Sequence, residues 1–421
     1  MMDILIKKAV IIDSTSPFNG QKKDILITSG RISSIEDEIN PALADEITEM
    51  EGLHVSPGWF DTACKFGEPA YEEAETLESG AAAAQAGGFT AVALSSHRQS
   101  AIDSRQKVEY LISRSTRLPI HIYPVGTATV GAAGKAMAES YDMAQGGAVA
   151  YGDGRQIENN LIENLVLEYN GAQGFLTITT PMDRVMMHQG VMHEGVVSTT
   201  LGLHGIPDVA EDLAVARDIF LADYSEASLH IACVTTPDAL RMIAEAQERG
   251  VDVTCSITPH HLLLSDENLK EFDTRYKVMP PLRTERHIEA MKRAVEKDVV
   301  CCIASDHTPV DIEDKKCEYD RAAYGTLGLQ TAFGAAWTVL KDSISLEKMV
   351  DLISINPRRR FGVAVPTIVE GGAAEITMFL PDTTWSFKKE DIVSLSKNSA
   401  FLGRELYGKA VATYVKGQLY K

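Results

Sequence analysis

The chain has 421 residues, 45% of them hydrophobic and 24% charged, enough for one large folded unit and a smaller one. Its formal net charge of −19 argues against nucleic acid, whose binders carry a basic face, and against docking on anionic lipid. No apolar run reaches the roughly 18 residues of a membrane helix, and the start, Met1-Met2-Asp3-Ile4-Leu5-Ile6, has strand-like alternation rather than the pattern of a signal peptide.

In chain order, residues 3 to about 55 contain short alternating strands, broken by turn clusters such as Ser14-Thr15-Ser16-Pro17 and Ser29-Gly30-Arg31. Strands and helices then alternate, which predicts a parallel α/β architecture. The candidate strands are 55–61, 90–95, 120–125, 148–151, 176–180, 229–234, 253–258 and 299–306, with amphipathic runs at 213–224, 237–248 and 288–296. Eight such strands suit a closed (β/α)8 barrel of the TIM type, whose active site lies at the strands' C-terminal ends. From about residue 365 the alternation returns, in Ala374-Glu375-Ile376-Thr377-Met378-Phe379 and Ala410-Val411-Ala412-Thr413-Tyr414-Val415. The expected organisation is a composite β-sandwich from 1–55 plus 365–421 around a barrel at 56–364. Cysteines 64, 233, 255, 301, 302 and 317 show no CxxC spacing, so free thiols in a reducing compartment are expected, with the cytoplasm as default.

The run Pro57-Gly58-Trp59-Phe60-Asp61-Thr62-Ala63-Cys64-Lys65-Phe66-Gly67 resembles the first barrel strand and loop of a dihydroorotase. Gly87-Gly88-Phe89-Thr90, Gly205-Ile206-Pro207, Thr258-Pro259-His260-His261, Pro280-Pro281-Leu282-Arg283 and Ala304-Ser305-Asp306-His307-Thr308-Pro309 extend the resemblance across nearly the whole chain. It implies an amidohydrolase-type barrel whose zinc centre activates water to open a cyclic amide. Strand residues two apart share a face, so the family's Asp-x-His-x-His places two imidazoles on one ion.

Here Ala63 and Lys65 occupy those histidine positions, and Gly67 the position of the arginine that implies a bidentate grip on the substrate carboxylate. Thr180 and Cys233 stand at two further metal-histidine positions. His97 and Met279 replace substrate asparagines, and Val310 replaces the histidine that closes the Asp-His-x-Pro-His run. Asp306 matches the aspartate that binds metal and moves the proton; Asp153 lies near the bridging-ligand position across an alignment gap. Metal binding lowers the pKa of water from about 15.7 to about 7, worth roughly 12 kcal/mol. Asp306 acting as a general base supplies roughly 10²–10⁴-fold, about 3–5 kcal/mol. No resident cofactor is therefore expected.

Lys65 admits two readings: an ammonium paired with Asp306 where the metal stood, or a side chain that snorkels into solvent. His230, His260-His261 and His307 are expected to be structural, Cys64 and Cys301-Cys302 packed, and His188 and His193 available as replacement ligands. Three functions compete. The first is a catalytically silent dihydroorotase-like protein, for which the resemblance implies aspartate transcarbamoylase as partner, a role in pyrimidine biosynthesis and a homodimer. The second is an active cyclic-amide hydrolase with zinc on a rebuilt site of Asp153, Cys233, Asp306 and a loop histidine. The third is a ligand-binding regulator.

Overall fold

Gly58 is where the chain passes from a sheet into a barrel. Its N–H donates to Glu375 O at 2.9 Å, and a Cβ there would lie 2.1 Å from Thr90 Oγ1, so only glycine lets the two layers approach this closely. In the computed structural model, which describes residues 2–96 and 100–421, the predicted strand 55–61 accordingly divides. His54–Pro57 joins a sheet built from both ends of the chain, and Trp59–Lys65 opens the barrel.

The barrel strands follow in sequence order as Trp59–Lys65, Phe89–Ser95, His121–Gly126, Ala150–Tyr151, Thr177–Thr179, Leu229–Ile231, Val253–Ile257 and Cys302–Ile303. All pair in parallel with the next. Several are shorter than the apolar runs predict, because the chain leaves the ladder to build loops at the mouth. The seam between last and first strands closes through side chains and one backbone bond. Asp61 accepts from Ser305 N–H at 2.6 Å and Ser305 Oγ at 2.9 Å, and Lys65 N–H donates to His307 O at 2.9 Å.

In the terminal sheet, His54–Pro57 pairs parallel with Ile4–Ile11 and antiparallel with Ile376–Ser386, which stitches the two ends together. Alternate residues Ile4, Ile6, Ile25, Ile27, Ile376 and Met378 form its buried face, the period-two pattern read from the sequence. Trp59 joins sheet to barrel: its ring lies 4.8 Å from Phe333 and 5.5 Å from Phe379, and its Nε1–H donates to Ser56 Oγ at 3.0 Å. Among the described residues no helix is long and apolar enough to cross a membrane.

The segment after residue 392 returns to the barrel mouth. Asn398 Oδ1 accepts from Val310 N–H at 3.2 Å while its Nδ2 donates to Gly325 O at 3.1 Å. Ser396 Oγ donates to Val310 O at 3.0 Å. The C-terminal part of the chain thereby fixes the loop after the last barrel strand.

Candidate active site at the barrel mouth

A cavity of about 680 Å³ opens at the C-terminal ends of the strands, lined by Lys65, Asp153, Thr180, Met279, Val310 and Tyr324 among others. That volume suits a small molecule. Ala63, Cys233 and Asp306 lie outside this lining, but the Lys65 charge reaches both Cys233 and Asp306. His97, the remaining substrate position, falls outside the described residues; its neighbour Ser96 borders the cavity.

Two strand ends keep an unusual backbone. Cys233 has φ 58° and Asp306 φ 45°, the left-handed region that residues other than glycine rarely adopt. The scaffold thus still holds these residues in a special geometry at the mouth. Their side chains are poor ligands as they stand. Burial pushes the Cys233 thiol far up, with Asp306 adding to it, so the thiolate that zinc needs is disfavoured. Burial likewise raises Asp306 to about 6, against the pull of Lys65.

The ion-pair reading of Lys65 does not fit. The side chain is half-buried and faces the cavity, yet no ion pair within 4.0 Å joins it to Asp306 among the described residues. It acts on Asp306 through space and not through contact. Asp153 is committed elsewhere: its carboxylate accepts from Thr129 N–H at 2.9 Å and from Thr129 Oγ1, anchoring a loop.

Gly67 is more than a shortened arginine. Its N–H donates to Glu75 O at 2.9 Å and its carbonyl accepts from Tyr71 N–H at 2.8 Å. A Cβ at this position would sit 1.9 Å from Tyr71 O and 2.7 Å from Glu75 O. The loop has closed over the space an arginine side chain would need.

The histidines separate into distinct environments. His261 is structural, between Thr258 Oγ1 at 2.7 Å and Pro280 O at 2.9 Å. Its neighbour His260 is different: fully buried, with neither ring nitrogen hydrogen-bonded, and Nε2 3.9 Å from Asp306 Oδ2. Burial pushes its pKa well down, so a neutral imidazole backs the aspartate. That orphaned ring is the site residue sequence reasoning missed, since the dipeptide gives no sign of which imidazole finds partners. His307 is buried, accepts from Gly328 N–H at 3.3 Å and lies 3.5 Å from Glu75, in keeping with a supporting role. His230 is a wall residue with only Nδ1 partnered, to Thr254 Oγ1 at 2.9 Å. Cys64 and Cys302 are packed in the interior, while Cys301 is half-buried.

His188 is exposed and joins no cluster among the described residues, whereas His193 is drawn into a network beside the barrel. His193, Asp208 and His287 offer donor atoms within 4.8 Å of one another. Arg283 occupies their centre, donating to Asp208 at 2.6 Å, to Glu211 at 2.9 Å and to His193 Nδ1 at 3.3 Å. His287 Nε2 takes the other Asp208 oxygen at 2.8 Å. Burial works against the Asp208 carboxylate, but the His287 bond and the Arg283 charge hold it at about 2. With a guanidinium on two of the three donors, the group is an ionic clamp and not a cation site.

Zinc asks for deprotonated nitrogen, sulfur or oxygen donors converging at about 2.0–2.3 Å. Asp153, Cys233 and Asp306 form no such convergent group among the described residues, and the Lys65 charge acts on both Cys233 and Asp306. The residues present do not fit the metal.

A family model described as dihydro-orotase-like matches residues 52–239. The chain is 36% identical over 422 residues to the dihydroorotase of Syntrophus aciditrophicus (strain SB), covering 99% of both chains. It is 37% identical over 423 residues to that of Pelotomaculum thermopropionicum, covering 99% of this chain and 98% of the other. Among solved structures, the L-hydantoinase (dihydropyrimidinase) of Arthrobacter aurescens superposes with a TM-score of 0.88 at 21% identity, covering 100% of this chain and 96% of the other, a likeness of fold. The sequence identity extends from the terminal sheet through every barrel strand, and on that ground the chain belongs to the dihydroorotase family.

Proposed function

We propose that this chain is a dihydroorotase-family protein without metal-dependent ring hydrolysis, kept as a structural or regulatory component of pyrimidine biosynthesis, with aspartate transcarbamoylase as the partner to test first. One observation carries the reading. Lys65 and Thr180 line the mouth while Ala63 and Cys233 lie outside its lining, and the four together present an ammonium, a hydroxyl, a methyl group and a buried thiol. A divalent ion placed there meets a cation and too few lone pairs, and water without the ion stays unreactive. The closed loop at Gly67 supports the same reading on the substrate side.

Its test is the interconversion of dihydroorotate and N-carbamoyl-aspartate by pure protein supplied with zinc. The proposal expects a rate indistinguishable from buffer, alone and mixed with a transcarbamoylase. Turnover that survives repurification and disappears in Asp306→Asn would refute it.

A second reading is favoured by one finding: curated relatives 34–37% identical over 99% of this chain carry the name dihydroorotase. On that reading the protein is an active dihydroorotase or another cyclic-amide hydrolase working from a rebuilt site, with Asp306 as base, backed by His260. Turnover of dihydroorotate, or of another cyclic amide such as hydantoin or dihydrouracil, by pure protein would favour it.

A further inference from the structure

We propose that the barrel mouth binds a hydrophobic monocarboxylate, an acid with an aromatic body, whose carboxylate sits on the Lys65 ammonium. The inference rests on the non-hydrolytic reading above and names the ligand class of that same cavity. It follows from what the polar side chains of the lining already hold, and from which of them remain free.

Most of the polar lining is turned toward protein. Asp153 accepts from Thr129 N–H at 2.9 Å. Gln156 is used at both ends: Oε1 accepts from Met182 N–H at 3.0 Å, and Nε2 donates to Asp218 Oδ1 at 3.2 Å. Asp314 accepts from the Tyr71 hydroxyl at 2.6 Å, and Ser96 Oγ accepts from Ile102 N–H at 2.8 Å. Thr308 Oγ1 donates to Asp306 O at 3.2 Å, and the Tyr324 hydroxyl donates to Gly190 O at 3.1 Å. Lys65 and Thr180 differ. Among the described residues neither side chain makes a hydrogen bond, and no carboxylate lies within 4.0 Å of the ammonium. The rest of the wall is apolar and adaptable. Met182, Met187 and Met279 belong to one hydrophobic cluster, and Val310 and the Tyr324 ring complete the lining beside them. Thioethers fit themselves to a flat body and sit favourably at the edge of an aromatic ring.

The charge pattern selects an anion and limits it to one charge. The chain carries −19 overall, yet Lys65, Arg155 and Arg184 all border this cavity. Both arginines are exposed at the rim, where Arg155 Nη2 donates to Ala132 O and Arg184 Nε lies 3.6 Å from Glu158. They draw an anion in, and Lys65 is left to hold it. A phosphate dianion asks for several donors or a nest of backbone N–H groups, which one ammonium does not supply. A cyclic amide has the opposite fault, because its carbonyl and N–H edges would face thioethers and methyl groups without partners. An aromatic acid strands nothing: its body meets the methionines, its carboxylate meets Lys65, and Thr180 is the second free donor of the lining.

Isothermal titration of the full chain with hydrocinnamate, and with its uncharged amide as control, decides it. The acid is expected to bind one to one, and the amide about 10-fold more weakly or worse. Lys65→Met is expected to weaken the acid by about 10-fold or more while leaving the amide unchanged. Met279→Asn is expected to weaken acid and amide alike, because it spoils the apolar wall that both share. Melting temperatures close to wild type separate lost binding from lost folding. Absence of saturable binding by the acid, equal affinity for acid and amide, or binding indifferent to Lys65→Met overturns the proposal, and so does tighter binding of dihydroorotate than of hydrocinnamate. Dihydroorotate turnover on the same samples reports on the function proposed above: an active protein removes both proposals, whereas a silent protein without Lys65-dependent binding removes this one alone.

Discussion

Arg283 and Lys65 are both cations set among carboxyl groups, and the protein treats them in opposite ways. Arg283 is nearly inaccessible and saturated, with Glu211 and Asp208 at 2.9 and 2.6 Å. Lys65 lines an open cavity and has no carboxylate within 4.0 Å among the described residues. The first is a scaffold charge, where one missing partner would strand a buried ion. The second faces an open cavity, and nothing in the packing depends on its being matched. A charge that the packing needs is matched on every side, whereas one that faces the cavity is left open to whatever enters it.

That contrast can be broken from either side. Arg283→Leu should have the largest effect, because it removes the cation from the buried Glu211 and leaves Asp208 with His287. A loss of about 3–5 kcal/mol is expected from urea unfolding; a loss under about 1 kcal/mol would mean the clamp is not structural. Gly67→Arg puts a long side chain into a loop that has no room for it. It should destabilise by about 1–3 kcal/mol, and an unchanged midpoint would show that the loop opens freely.

Asp306→Asn should move the other way. The folded-state value of about 6 lies above the ordinary 3.8, so Asp306 favours folding while protonated. That contribution is present below about pH 4 and is lost as pH rises through about 6. The asparagine variant should therefore be more stable than wild type at pH 8, by up to about 3 kcal/mol, and flatten the stability profile between pH 4 and 6. Equal stabilities at pH 8 would contradict the burial argument. Lys65→Met should change stability least, by under about 0.5 kcal/mol. It should raise the Asp306 midpoint, followed by carboxyl carbon resonance, by about one unit. No movement would show that the ammonium does not act on the aspartate.

Much of this architecture was legible in the residues. Apolar runs bounded by turn residues located all the barrel strands, and alternation at both ends announced the terminal sheet, because one-sided burial imposes a period of two. Lys65 and Thr180, picked out from the sequence, do line the cavity. The Arg283 clamp was not legible, as its members at 193, 208, 211, 283 and 287 meet only when three separate segments pack. Nor was the closure at Gly67, where the deciding contacts are with backbone oxygens of Tyr71 and Glu75. Pairing of Lys65 with Asp306 was a natural expectation from opposite charges on adjoining strand ends. Although Lys65 N–H bonds to His307 O beside it, no ion pair within 4.0 Å forms among the described residues.

The most direct test is zinc stoichiometry after equilibrium dialysis against buffered metal, in wild type and in a variant carrying Ala63→His, Lys65→His, Thr180→His and Cys233→His. Wild type is predicted to hold under about 0.1 zinc per chain at nanomolar free metal, and the variant close to one or more. Wild-type protein that retains one or two zinc ions per chain under those conditions would contradict the account.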